Sequence, residues 1–151
     1  MLNVDRVWAR QASKFMGGKK LTDYRLQVVT STYTLNASAS SQANPVNFGA
    51  GAVIIGVIAA AQISGAAATS VYRPGLDLFT VQISYQADNR IIVGTTEALG
   101  SCIFGPYGDQ FPGMEIPMPQ NTSLLYNFTN VTTTAITISL AHHCLMPGAI
   151  A

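Results

Sequence analysis

From Leu21 onward, apolar and polar residues change places every second position in several short runs. A period of two belongs to strands with one face buried. The clearest run is 78–85, where Phe79, Val81, Ile83 and Tyr85 share one side and Thr80, Gln82 and Ser84 the other. Gln86-Ala87-Asp88-Asn89 reads as a turn, and 90–95 as the strand that returns from it. In 123–129, Leu124, Tyr126 and Phe128 fall on one side. Residues 130–133 read as a turn, after which Ile136, Ile138, Leu140 and His142 share one face of 134–145. That pair is predicted to form a second hairpin.

Two further runs are strands by composition. Residues 24–35 are rich in β-branched and aromatic types, and Val53, Ile54, Ile55, Val57 and Ile58 favour a strand within 51–63. Residues 36–47 read as a polar loop, and 64–77 as a loop closed by Arg73-Pro74-Gly75. Four of the seven prolines lie in 105–120, which predicts a long surface loop with a short edge strand near 114–118. Seven or eight short strands with no convincing internal helix predict an all-β domain over 21–151, a sandwich or barrel.

The first twenty residues differ. Val4, Trp8, Ala12 and Phe15 recur at helical spacing, with Val7 beside them, and Arg6, Arg10 and Lys14 occupy another face. Gly17-Gly18 ends the pattern. The segment 1–20 is therefore predicted to be a short amphipathic helix or arm on a flexible tether. It either folds back on its own domain or docks on a neighbour. In the second case Val4, Arg6, Trp8, Arg10 and Phe15 are the candidate partner-binding residues, with the aromatic groups as anchors.

Charge sharpens this division. Only 10% of the 151 residues are charged, against about 25% in ordinary domains. Residues 1–25 hold six cations and two acids, net +4, and the remainder two cations and five acids, net −3. The body is nearly neutral and rich in Ser, Thr, Asn, Gly and Ala, a surface suited to contact with other protein. Six local cations do not make a nucleic-acid footprint. The apolar stretch 48–61 is shorter than the roughly 20 residues of a spanning helix, and the amino end lacks a signal-peptide core. Cys102 and Cys144 are expected to be separate reduced thiols from a cytosolic maturation environment.

Candidate chemistry is sparse. The acids are scattered, and no nucleophile elbow, zinc-protease or phosphate-loop signature occurs. Gly49-Ala50-Gly51 begins a dinucleotide fingerprint, but Ile54 stands where its third glycine belongs. His142-His143-Cys144 is a cluster, yet on a strand His142 and Cys144 share a face that His143 opposes. Two ligands make a poor zinc site, so a hydrogen-bonded structural histidine is expected, unless copies complete a site on a symmetry axis. The Asn-x-Ser/Thr sequons at Asn36, Asn121, Asn127 and Asn130 follow from composition. No enzymatic activity and no cofactor are expected. Glu115 and His142 are the residues whose substitution would reveal an activity.

The runs NFGAGAVIIGVIAAAQISG, DLFTVQISYQADNRIIV and PMPQNTSLLYNFTNVTTTAITISLAHHCL resemble small virion proteins of tailed bacteriophages. These are the jelly-roll head decoration or cement proteins, also called accessory capsid proteins. The resemblance covers 21–146 and rests on strand layout, on the proline-spaced approach to the last hairpin and on its close with Leu140 and His142. It implies a jelly-roll sandwich and a homo-oligomer, dimer or trimer. Such an oligomer sits at symmetry axes outside the phage head and clamps major capsid protein subunits against internal DNA pressure. It implies no cofactor, and gives the N-terminal arm the role of a clamp. A different virion role is the alternative: a fibre, spike or tail-associated module that binds a host receptor.

Overall fold

The computed structural model describes residues 24–38, 42–49, 51–65, 75–111 and 116–147. Its strands are β1 (Tyr24–Leu35), β2 (Gln42–Asn47), β3 (Ala52–Ile63), β4 (Phe79–Tyr85), β5 (Ile91–Leu99), β6 (Ile116–Met118), β7 (Ser123–Asn130) and β8 (Ile136–Pro147). They form two four-stranded antiparallel sheets, β1-β8-β3-β6 and β2-β7-β4-β5. The molecule is an all-β sandwich. The predicted arm, with Val4, Arg6, Trp8, Arg10 and Phe15, lies outside the described residues.

The pairing order follows one rule. The first strand pairs with the last, β2 with β7, β3 with β6, and β4 with β5. Two lateral pairings, β3 with β8 and β4 with β7, then fold this long double ribbon into two layers. Period-two alternation supplies the core. Phe79, Val81 and Ile83 of β4, Leu124, Tyr126 and Phe128 of β7, and Ile136, Ile138 and Leu140 of β8 are all buried in one cluster. Phe128 meets Phe79 edge-on at 5.5 Å and Tyr33 at 5.6 Å, so aromatic packing runs between the layers.

Three expectations need correction. Residues 42–47 form β2 and not a loop. The strand is polar and contains Pro45, which a sheet edge tolerates because no inward ladder bond is lost there. Residues Gly100–Phe104 form a short helix, α1, that no periodicity announced. Five residues are too few to show a 3.6-residue repeat. The last two strands are not a hairpin: β7 and β8 belong to different sheets. The other expected hairpin, β4 with β5, is present, and β5 runs to Leu99, with register shifts along the pair.

Asn130 explains the crossing. It is buried at the end of β7, where the chain leaves one sheet for the other. Its amide donates to the carbonyls of Asn36 at 2.9 Å and Thr134 at 2.8 Å, and more weakly to that of Leu35. Its carbonyl oxygen accepts from both the backbone N–H and the hydroxyl of Thr132, each at 2.8 Å. One side chain thus ties the crossing to the end of β1.

The free edge of β3 beyond β6 is covered by the loop 105–111. Val57 N–H donates to Phe111 O at 2.7 Å, and Ala59 N–H to Gly108 O at 2.8 Å. Gly108 has a positive φ of 77°, and a Cβ there would collide with the Ala59 carbonyl. Only glycine lets the loop approach this closely. On the opposite edge β1 pairs along its full length with β8 and has no second neighbouring strand among the described residues.

Replacing Asn130 with Ala strands several of these buried groups. The substitution is expected to cost about 2–3 kcal/mol, read as a lowered urea midpoint with an unchanged transition slope. A loss below about 0.5 kcal/mol, the size of an ordinary surface change, would show that the crossing does not depend on it.

Candidate assembly surface

His142 points into the core. Its Nδ1 lies 3.0 Å from the Val29 carbonyl of β1, and its Nε2 lies 2.8 Å from the Tyr126 hydroxyl of β7. A carbonyl only accepts, so Nδ1 carries the proton and donates to Val29. Nε2 then accepts from Tyr126. The neutral ring satisfies both nitrogens and hydrogen-bonds one sheet to the other. Phe48 packs edge-on against the imidazole at 5.6 Å. Burial pushes the His142 pKa down, the nearby His143 adds to this, and the Val29 bond opposes it. Burial also holds the Tyr126 hydroxyl well above the usual tyrosine pKa, so it remains a neutral donor.

The cluster His142-His143-Cys144 divides as the strand period requires. His142 and Cys144 are buried, and His143 faces outward, half-buried. The Cys144 thiol is pushed up to about 12 by burial, while Cys102 is exposed. Among the described residues, no three His, Cys, Asp or Glu side chains are grouped to hold a metal ion. No described helix is long and apolar enough to cross a membrane; most of 48–61 belongs to β3. Glu115 lies outside the described residues. Asn130, read in the sequence as a sequon and as the start of a turn, uses its amide in the crossing described above.

The distinctive surface is the outer face of β1, β8 and β3. The register places side chains in rows across it. Thr34, Thr137 and Gln62 form one row; Thr32, Ser139 and Ala60 the next; Thr30, Ala141 and Ile58 the third. Val28, His143 and Gly56 follow, then Leu26 and Leu145, beside which Val53 is fully buried. None of these residues carries a carboxylate, ammonium or guanidinium group. Leu26 is 62% exposed, Val28 45% and Ile58 47%. The rows Thr30–Ala141–Ile58 and Thr32–Ser139–Ala60 hold mostly small side chains and enclose an open trough of about 310 Å³. The other sheet presents a different exterior, with Thr80, Gln82, Asn127 and Thr129 outward and a Thr80 hydroxyl donating to Glu97 at 2.6 Å.

Large apolar residues at one end, small ones in the middle and no charge anywhere describe a face that loses little on leaving water. It has no converging acid, base or nucleophile.

Tyr126→Phe leaves His142 Nε2 buried without a donor and is expected to cost about 1–3 kcal/mol. A Tyr126→Phe, His142→Leu double variant is expected to recover much of this, since both partners are then apolar. The histidine also predicts acid sensitivity. Its folded pKa lies below the unfolded value of 6.5, so below that pH the unfolded chain binds a proton that the folded chain refuses. The contribution is complete above the unfolded value and is lost as pH falls toward the folded one. Denaturation at a series of pH values should show this slope in the natural chain and not in the double variant. Equal slopes would contradict the assignment. Comparison of the chain with protein-family models, with curated proteins and with solved structures finds no match.

Proposed function

We propose that this chain is a non-enzymatic structural protein of a virus particle: a decoration or cement protein that stabilises a phage head by binding major capsid protein subunits as a homo-oligomer. The observation that carries the reading is the uncharged outer face of β1, β8 and β3. An exterior of this kind on a chain with 10% charged residues is suited to lasting contact with other protein. The strand order supports the same reading. First-with-last pairing wound into two sheets is the connectivity of a jelly roll, an architecture used in viral shells.

The size of the face sets the mechanism. Five rows on three strands span about 26 Å by 14 Å, or roughly 360 Å². A stable interface takes about 800 Å² from each partner. One contact of this size is therefore weak, and retention on the head comes from many copies held on one lattice, where each contact raises the effective concentration of the next. Attachment at symmetry axes supplies that geometry. The clamp adds resistance to outward pressure without any chemical step, so neither cofactor nor catalytic residue is required.

Titration onto expanded empty heads tests the proposal. Binding is expected to saturate at a fixed ratio to the major capsid protein, and mass spectrometry of the source particle should find many copies. A few copies per particle, together with binding to host cells or glycans, would assign the chain to a fibre, spike or tail tip instead.

A further inference from the structure

We infer that the outer face of β1, β8 and β3 is the receptor for residues 4–16 of a second copy of this chain, exchanged reciprocally in a two-fold dimer. The inference rests on the assembly reading above and assigns that surface to the contact between copies that makes the homo-oligomer.

The first argument is position. The described chain begins with β1 at Tyr24, opposite Pro147 and two residues before the row of Leu26 and Leu145. Segment 1–20 is therefore tethered, through residues 21–23, to the apolar end of the face. The second is length. Thirteen helical residues measure about 20 Å, and the face from Leu26 to Thr34 measures about 26 Å along the strand. The third is complementarity. Val4, Trp8, Ala12 and Phe15 give a narrow apolar stripe, with Arg6, Arg10 and Lys14 turned away from it. An uncharged face takes such a stripe without burying a charge. The trough of about 310 Å³ over Ala141, Ser139 and Ala60 offers room for one bulky ring.

The choice of a second copy follows from area and exposure. Leu26, Val28 and Ile58 remain exposed in the single chain. Two faces stacked directly would bury roughly 700 Å² in total, below the 1,200 Å² at the low end of stable interfaces. Exchange of two arms about 20 Å long onto two faces buries roughly 1,100 Å² in total, well above direct stacking and close to the low end of stable interfaces. The residues Gly17-Gly18 give the freedom to cross between copies, and exchange of an identical element is a low-cost route to a dimer.

Trp8 is the only tryptophan in the chain, so its fluorescence reports the arm directly. The full-length protein is diluted across a thousandfold range, and emission is compared with sedimentation. The expected result is a blue-shifted Trp8 in the dimer that moves to the red as the dimer dissociates, both on one curve. Removing residues 1–18 is expected to leave a folded monomer by circular dichroism. Ala141→Lys, which places a charge in the trough, is expected to weaken the dimer at least tenfold. Asn127→Lys, on the other sheet, should change nothing. If Ala141→Lys fails to fold, Thr32→Lys on the same face serves in its place. A blue-shifted Trp8 in the monomer would overturn the inference, because the arm then lies on its own chain. A dimer or trimer with exposed Trp8, or one that survives removal of the arm, also overturns it while leaving the assembly reading intact. A chain that stays monomeric and does not bind heads removes both.

Discussion

Everything in this fold depends on the double pairing of β8. The strand Ile136–Pro147 bonds to β1 on one side and to β3 on the other, and it carries two unlike surfaces. Its even-numbered residues, from Ile136 to Met146, are buried and fill the space between the sheets. Its odd-numbered residues, from Thr137 to Leu145, form the middle line of the uncharged exterior. A shift of one residue would exchange these surfaces and put His142 and Cys144 in water. Register is therefore fixed by burial, and the hydrogen bonds from His142 to Val29 and Tyr126 fix it again from within.

The same constraint connects fold to function. A sandwich needs only one face of each sheet to be apolar, so the outer faces are free to differ. Here one is a polar surface carrying Glu97, and the other is free of charge with a trough among small side chains. Low overall charge becomes meaningful once the register concentrates its effect on one side. The edges are treated differently as well. The loop 105–111 caps β3 through Gly108 and Phe111, which closes that stretch of the edge to further strand pairing.

Much of this was legible in the sequence, and the failures have physical causes. β4, β7 and β8 were readable because their buried residues alternate without interruption. β2 was missed because Asn44, Pro45 and Asn47 carry turn chemistry, and only pairing with β7 makes the segment a strand. The false hairpin between β7 and β8 came from a short polar connection that looks like a turn. Asn130 redirects the chain through bonds to Leu35 and Asn36, more than ninety positions away, and no local pattern contains them. The division of His142 from His143 was visible in the strand period, but the partner hydroxyl of Tyr126 was not. The uncharged character was visible in composition. The surface that carries it needed the register of three strands distant in sequence.

The central claim is that the outer face of β1, β8 and β3 is buried when the protein assembles. Hydroxyl-radical footprinting of free and assembled protein tests it most directly, because side-chain oxidation follows exposure residue by residue. The account predicts that Leu26, Val28, Ile58 and Leu145 lose reactivity on assembly while Ile91 and Leu99, exposed on β5, keep theirs. Unchanged reactivity at Leu26, Val28 and Ile58, with protection at Ile91 and Leu99 instead, would contradict it.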